Sequence, residues 1–309
     1  MVYFPHKNVL ATKQFSREDL ETVFATAKEM ETILSGEKPG DLLRGKIMAA
    51  MFYEPSTRTR LSFESAMRRL GGKVITVSDA STCSLAKGET IEDNAKMVSI
   101  YCDIIVMRHP ENNSVEKSAA VIDTPVINAG DGSNEHPTQA FLDIYTILKE
   151  RGTIDNLKIA LVGDLRYGRT AHSLVFFAGL FKNVEFTFIS CDSLKMPEKV
   201  ISFLKEKNIK YKETSSYKEG IVGADVLYVT RIQKERFPSE TEYERVKNDF
   251  ILTKEMLLAT NPNITILHPL PRVNEISNDV DELPNAAFFR QAQNGVPIRM
   301  ALLYLLLKK

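Results

Sequence analysis

Residues 47–60 read IMAAMFYEPSTRTR. The apolar run from Ile47 to Tyr53 is short and unbroken, which predicts a strand buried on both faces, as in a parallel sheet. Glu54-Pro55 ends the run, and Ser56-Thr57-Arg58-Thr59-Arg60 opens an expected helix near residues 56–70. A buried strand feeding a helix N-terminus is the unit from which α/β folds are built. The free N–H groups and dipole of a helix N-terminus attract anions. Ser56, Thr57 and Thr59 add hydroxyl donors, and Arg58 adds a two-pronged guanidinium suited to phosphate. The plainer alternative is that Ser56 or Thr57 caps the helix and the arginines face water. The segment is no Walker loop, because GxxxxGK[ST] occurs nowhere in the chain.

The same alternation extends outward in both directions. A first helix is expected over Ser16–Leu34. Ser16 and Asp19 have capping-box spacing, Leu20, Val23, Phe24, Ala27, Met30 and Leu34 form an apolar stripe, and Gly36 is a stop. Short apolar runs at Val74–Val77, Ile104–Met107 and Val126–Asn128 read as further strands, with helices near 90–100 and 113–121 between them. A second series follows at Ile159–Val162, Val184–Ile189, Val226–Val229 and Ile264–Leu267, with helices near 169–181 and 197–207. Pro137 suits the first turn of a linking helix, and a last apolar helix is expected from about Val296 to Lys309. Two such series predict two α/β domains, each a mainly parallel sheet flanked by helices.

Composition agrees and narrows the function. The chain has 309 residues with 40 Lys+Arg against 40 Asp+Glu, 43% hydrophobic and 26% charged. That is enough for two folded cores, with no basic excess to bind nucleic acid or an anionic membrane. The longest fully apolar run, Met300–Leu307, falls far short of the ~20 residues of a membrane span. The first residues, MVYFPHKNVLATK, show no signal-peptide pattern. Cys83, Cys102 and Cys191 form no CxxC, which fits free thiols in a reducing cytoplasm. The histidines show no metal-ligand spacing, so no metal and no cofactor are expected.

In open α/β sheets, ligands bind beyond the carboxyl ends of the strands. There the chain places Arg108-His109-Pro110, and the run from Gly130 to Gln139 that contains His136. His136 gains interest from preceding a helix start at a strand edge, whereas His109 reads as structural. In the second series the strand ends carry Gly163-Asp164-Leu165-Arg166-Tyr167-Gly168-Arg169-Thr170, Thr230-Arg231-Ile232-Gln233, and His268-Pro269-Leu270-Pro271-Arg272. Gly163–Gly168 spaces its glycines as GxxxxG rather than GxGxxG, so a dinucleotide site is disfavoured. Clustered arginines suit a small substrate with two carboxylates better. The polar stretch Ser81–Thr90 carries Lys87 before Gly88. By composition it is a solvated loop, and the functional alternative is a loop that delivers a cation to a phosphate.

FYEPSTRTRLSFES (52–65), KGET (87–90), MRHP (107–110), NAGDGSNEHPTQ (128–139), GDLRYGRTAHSL (163–174), VTRIQKERF (229–237) and HPLPR (268–272) together resemble the aspartate carbamoyltransferase family, from about residue 8 to the C-terminus. The resemblance implies two domains, 1–135 for carbamoyl phosphate and 136–291 for aspartate, with the helix 292–309 returning to the first and the active site in the cleft between them. It implies Ser56, Thr57, Arg58, Thr59 and Arg108 as phosphate holders. Thr59, Arg108 and His136 would polarise the carbamoyl carbonyl, while Gln139 and the backbone of Pro269 and Leu270 would hold its NH2. Arg169, Arg231 and Gln233 would bind aspartate, together with Lys87 and Leu270. Ser84 and Lys87 would reach in from a neighbouring subunit of a homotrimer, and Glu54 with Arg236 would clamp the domains shut. The implied catalytic set is Arg58, Thr59, Lys87, Arg108 and His136, acting without a covalent intermediate in a cytoplasmic enzyme of pyrimidine biosynthesis. The resemblance leaves room for regulatory chains or a pathway partner enzyme.

Two positions depart from the family pattern. Ala86 stands where several members carry the first of two lysines, and the loop is one residue shorter, so Ser84 and Ser81 both remain candidates for the shared serine. Glu135 stands where glutamine is common. A carbamoyltransferase acting on ornithine would want acidic partners in the second domain, which Arg169, Arg231 and HPLPR do not supply. A noncatalytic binding or scaffold paralogue is disfavoured because the phosphate, lysine, histidine and arginine positions are all filled.

Overall fold

The computed structural model describes residues 4–79, 81, 83–232, 240–246 and 250–308. The chain divides into two compact units, Met1–Phe141 with Asn294–Lys309, and Leu142–Gln293.

The first unit begins with α1 (Arg17–Leu34), where Ser16 and Asp19 form the expected reciprocal cap: Asp19 N–H donates to Ser16 Oγ at 3.2 Å and Ser16 N–H to Asp19 Oδ2 at 2.8 Å. There follow β1 (Ile47–Phe52), α2 (Thr57–Arg69), β2 (Lys73–Val77), α3 (Ile91–Ser99), β3 (Ile104–His109), α4 (Ser114–Ala120), β4 (Val126–Asp131) and α5 (Pro137–Arg151). The strands form one sheet in the order β2-β1-β3-β4, parallel throughout. β1 alternates its faces: Ala49, Met51 and Tyr53 join Val115 and Ala119 of α4 in one core cluster, so Met48, Ala50 and Phe52 point the other way. Both sets are buried, each large apolar side chain contributing about 1.5–3 kcal/mol. This is why the opening run is apolar at every position.

The second unit continues with β5 (Lys158–Val162), α6 (Arg169–Ala178), β6 (Glu185–Ile189), α7 (Glu198–Glu206), β7 (Tyr211–Thr214), α8 (Tyr217–Ile221), β8 (Val226–Val229), α9 (Glu240–Val246), α10 (Lys254–Thr260), β9 (Thr265–Leu267) and α11 (Phe288–Leu307). Its sheet, also parallel throughout, runs β7-β6-β5-β8-β9.

Several elements differ from expectation, among them the short helices α8, α9 and α10, which were not anticipated. β7 was not anticipated from YKET; as an edge strand it pairs only with β6 and buries little, so it carries no apolar run. α11 starts at Phe288 rather than near Val296, because Pro297 lies inside the helix instead of at its first turn. On either side of Asn294-Gly295-Val296, Phe288 and Ile298 are fully buried. In the first unit Arg299 lies over the Phe63 ring, 5.1 Å from its centroid.

Gly163, just after β5, has φ +108, and an added Cβ there would collide with the Thr230 carbonyl oxygen at the end of β8. Gly163→Ala therefore combines a disfavoured backbone with a steric clash against main chain. It should destabilise the second unit by roughly 2–4 kcal/mol, read as a lowered urea midpoint. An unchanged midpoint would show that the two strand ends can separate at no cost.

Candidate functional site

In the first unit, Ser56 sits in extended backbone at the start of α2, and its side chain makes no capping hydrogen bond. The plainer reading of Ser56 as a helix cap is thus not what the structure holds. Thr59 is buried, Ser56 half-buried, and Thr57 and Arg58 exposed. Arg108 is paired in register with Phe52 across β1 and β3. Its guanidinium reaches both neighbouring strand ends: Nη2 lies 2.9 Å from Glu54 Oε2, and Nη1 donates to the Ala129 carbonyl at 3.4 Å. Glu54, expected to clamp with Arg236, thus pairs with Arg108 inside its own unit. Gln233 and Arg236 lie outside the described residues.

His136 is 4% exposed and directly precedes α5; its carbonyl accepts from the Gln139 and Ala140 amides at 3.0 and 3.2 Å. What delivers it is a residue that motif reading passed over. Asp131, fully buried at the end of β4, accepts from Asn113 N–H at 2.8 Å, Asn128 Nδ2 at 2.9 Å, Asn134 Nδ2 at 3.2 Å and Glu135 N–H at 3.2 Å. One carboxylate thereby folds the whole turn from 128 to 135. The available signal was Asp-Gly-Ser-Asn, a turn-forming run that follows a strand. Gly132 is needed there, with φ +48 and no room for a Cβ beside Asn112. Glu135 turns away from solvent and accepts from the Thr12 hydroxyl at 3.1 and 3.2 Å, tying the N-terminal segment to this turn. His109 behaves as expected of a structural histidine: Nδ1 accepts from Glu111 N–H at 3.1 Å, and burial lowers its pKa.

Within the expected solvated loop, Ser84–Lys87 form a 3-10 turn. Cys83 and Leu85 pack against the core cluster of the first sheet, while Ser84 and Lys87 are exposed. Lys87 makes no ion pair with any described residue. The segment is further tied down through Asn94, which accepts from Tyr53 Oη at 2.5 Å and donates to Glu89 Oε2 at 2.8 Å.

In the second unit, Asp164 is fully buried and accepts from Tyr167 N–H at 2.9 Å, shaping the turn that leads to Arg169 at the first position of α6. Thr230, at the end of β8, donates to the Val162 carbonyl at 3.0 Å, so the segments bearing Arg169 and Arg231 are joined through adjacent strands. Both arginines are half-buried. Pro269 and Leu270 follow β9 and are half-buried as well. Arg272 is held differently: its guanidinium grips the Asp281 carboxylate and lies over the Phe288 and Phe289 rings at 5.3 and 5.8 Å. Of the arginines after strands, Arg272 is therefore a structural one. Among the described residues no cluster of His, Cys, Asp and Glu could hold a metal ion.

Comparison with known proteins gives a consistent picture. A family model for the carbamoyl-P binding domain of aspartate/ornithine carbamoyltransferase matches residues 7–149, and the Asp/Orn binding domain of the same family matches 155–306. The aspartate carbamoyltransferase catalytic subunit of Methanocaldococcus jannaschii is 50% identical over 297 residues, covering 96% of each chain. That of Leptospira biflexa serovar Patoc is 50% identical over 307 residues, covering 99% of this chain and 98% of its own. Among solved structures, the M. jannaschii catalytic subunit superposes with a TM-score of 0.91 over 98% of both chains. Aspartate transcarbamoylase from Trypanosoma cruzi in complex with carbamoyl phosphate and aspartate, 36% identical, gives 0.92 over 97% of this chain and 96% of its own.

One buried histidine of the second unit gives this region a pH signature. His172 Nε2 donates to the Leu165 carbonyl at 2.7 Å, bracing the turn before Arg169. Burial pushes its pKa down from 6.5 to about 4. Between those values the unfolded chain binds the extra proton and the folded chain does not. Stability from this group is therefore full above pH 6.5 and falls as the pH drops to 4, by about 3 kcal/mol in all. Urea midpoints taken between pH 7 and pH 4 should decline less steeply in His172→Gln than in the parent. Equal slopes would remove His172 as the source.

Proposed function

The chain belongs to the aspartate/ornithine carbamoyltransferase family, and from that premise we propose how its residues move the carbamoyl group of carbamoyl phosphate onto the α-amino group of L-aspartate. The products are N-carbamoyl-L-aspartate and phosphate, in an early step of de novo pyrimidine biosynthesis. The single observation that carries the assignment of roles is the placement of cations at strand ends. Arg58 and Arg108 stand at the carboxyl edge of the first sheet, and Arg169 and Arg231 at that of the second. Two anionic substrates need such charges, because their mutual repulsion must be neutralised before reaction. The arginines of the second unit also favour aspartate over the cationic ornithine.

In this reading the first unit binds carbamoyl phosphate. The first-turn amides of α2, the hydroxyls of Ser56, Thr57 and Thr59, and the guanidiniums of Arg58 and Arg108 take the phosphate. Thr59, Arg108 and His136 donate to the carbonyl oxygen, which gains negative charge as the amine attacks. Donors aimed at such an oxyanion are worth about 2.7–4 kcal/mol each. Gln139 and the carbonyls of Pro269 and Leu270 hold the carbamoyl NH2. Arg169, Arg231 and Gln233 hold the aspartate carboxylates, with Lys87 and Leu270 completing the set. The amine's lone pair attacks the carbonyl carbon, the tetrahedral intermediate collapses, and the C–O bond to phosphate breaks. The leaving phosphate takes the amine proton, so His136 serves as a donor and not as an obligatory base. Orienting the two reactants supplies roughly 7–11 kcal/mol of the barrier reduction.

Ser84 and Lys87 are assigned to the site of a neighbouring subunit in a homotrimer. Their outward placement on an anchored turn supports this. So does the apolar surface nearby in the chain: Ile75 on β2 is 41% exposed, and at the end of α3 Met97, Ile100 and Tyr101 are 45%, 71% and 58% exposed. Met97 lies in the last turn of α3, and Ile100 and Tyr101 follow directly after it. A parallel strand as exposed as β2 is unusual in a monomer, and a second copy of the chain is the cover we infer. No disulfide joins Cys83, Cys102 and Cys191, which suits a reducing cytoplasm.

Arg58→Ala should lower kcat at least about 100-fold while thermal stability holds; a near-normal kcat would remove Arg58 from the phosphate site. Mixing Arg58→Ala with Lys87→Ala protein under conditions of proven subunit exchange should restore part of the activity that neither shows alone. No recovery would mean that each subunit builds its site by itself.

A further inference from the structure

The turn that follows β9 is held by a buried hydrogen-bond chain whose polarity can be assigned without ambiguity. His268 is 1% exposed, and its Nδ1 accepts from the Leu270 backbone N–H at 2.8 Å. An amide N–H can only donate, so Nδ1 carries a lone pair and the ring proton is on Nε2. Nε2 donates to Glu275 Oε1 at 2.7 Å. The other Glu275 oxygen accepts from the amides of Val273 and Asn274 at 3.0 and 3.1 Å. Burial pushes the Glu275 carboxyl up, but the bonds from His268 and the backbone outweigh this and hold it below its ordinary pKa.

The chain also extends in the other direction. His268 N–H donates to Gln291 Oε1 at 2.8 Å, Gln291 Nε2 donates to Asp143 Oδ1 at 2.6 Å, and Tyr228 Oη donates to Asp143 Oδ2 at 2.8 Å. Gln291, Asp143 and Tyr228 are each at most 1% exposed. The turn is thus braced from β8, α5 and α11. Within it Leu270 has φ +53, a region that leucine avoids unless its surroundings impose it. The bond from the Leu270 amide to His268 is one such imposed constraint.

We propose that His268 is a positioning residue for carbamoyl transfer. Neutral and protonated at Nε2, it fixes the Leu270 amide and so aims the Pro269 and Leu270 carbonyls at the carbamoyl nitrogen. This rests on the reading of those two carbonyls given above. His268 itself touches no reacting atom; it acts through the turn.

The test compares three variants of the full chain. His268→Asn keeps an acceptor where Nδ1 lies but does not reach Glu275. His268→Gln keeps a donor toward Glu275 but offers nothing at Nδ1, and His268→Ala keeps neither. Activity is followed as carbamoyl aspartate formed, and calorimetry with inorganic phosphate reports on the first unit. The alanine variant should lose at least 100-fold in kcat with the phosphate Kd within twofold of the parent. Asparagine should recover at least tenfold of that loss, and glutamine should not. Retention of kcat within threefold in His268→Ala, equal recovery by Asn and Gln, or a phosphate Kd that weakens in step with kcat would each overturn the proposal. If His268→Ala does not fold, the Asn-to-Gln ratio of kcat decides, tenfold or more in favour and near one against.

Leu270→Gly loosens the same backbone without touching His268. Loss of activity in Leu270→Gly alone would sink the role of His268. Full activity in both Leu270→Gly and His268→Ala would sink the reading of the two carbonyls.

Discussion

A parallel sheet sends the carboxyl end of every strand to one edge, and both sheets of this protein are parallel throughout. Everything chemical in the molecule depends on that geometric fact. Ser56, Arg108 and His136 are separated by tens of residues in sequence, yet Ser56 and His136 follow β1 and β4 and Arg108 lies at the end of β3, three adjacent strands. Arg169, Arg231 and the 268–270 turn likewise follow β5, β8 and β9, adjacent in the second sheet. The apolar strands supply the burial that makes the sheets stable, and the loops beyond them carry side chains that the core could not accommodate.

The acids complement this arrangement. Asp131, Asp164 and Glu275 are buried, and each accepts backbone N–H groups at the turn after a strand. A carboxylate satisfied by amides can be buried without drawing an arginine away from the site. Equal numbers of acids and bases can therefore coexist with arginines gathered at the strand ends, because Asp131, Asp164 and Glu275 have a structural task and leave those arginines to the chemical one proposed for them. Arg272 is the counterexample, matched to Asp281 and stacked on two phenylalanines.

What could be read in the sequence follows from the same physics. The buried strands were legible because burial on both faces demands unbroken apolar runs, as in Ile47–Phe52 and Val226–Val229. Tyr211–Thr214 was not, since a half-exposed edge strand needs no such run. The charged members of the candidate site were legible as arginines and a histidine placed after strands. The residues that hold them were less so. Asp131 and Glu275 act through backbone donors, and nothing in residue type alone says which amides a buried carboxylate will meet. The stretch 84–87 was read as a solvated loop, and Ser84, Ala86 and Lys87 are indeed exposed; its turn and anchoring were not legible because the anchors, Cys83 and Leu85, are isolated apolar residues in polar surroundings. Only the folded sheet shows that they reach its core.

The contact between Glu54 and Arg108 has a consequence for how an anion is acquired. A guanidinium already matched to a carboxylate has lost much of its hydration on folding, so in the phosphate role proposed for Arg108 an arriving phosphate would replace one anion with another and need not strip water from a bare cation. Uptake is then an ion exchange. Its driving force is the difference between two similar attractions, and mobile salt weakens both together. Such a site discriminates by fit and by charge number, preferring a dianion to the monovalent carboxylate it displaces. It also resists occupation by chloride and other simple ions that could not outbid Glu54.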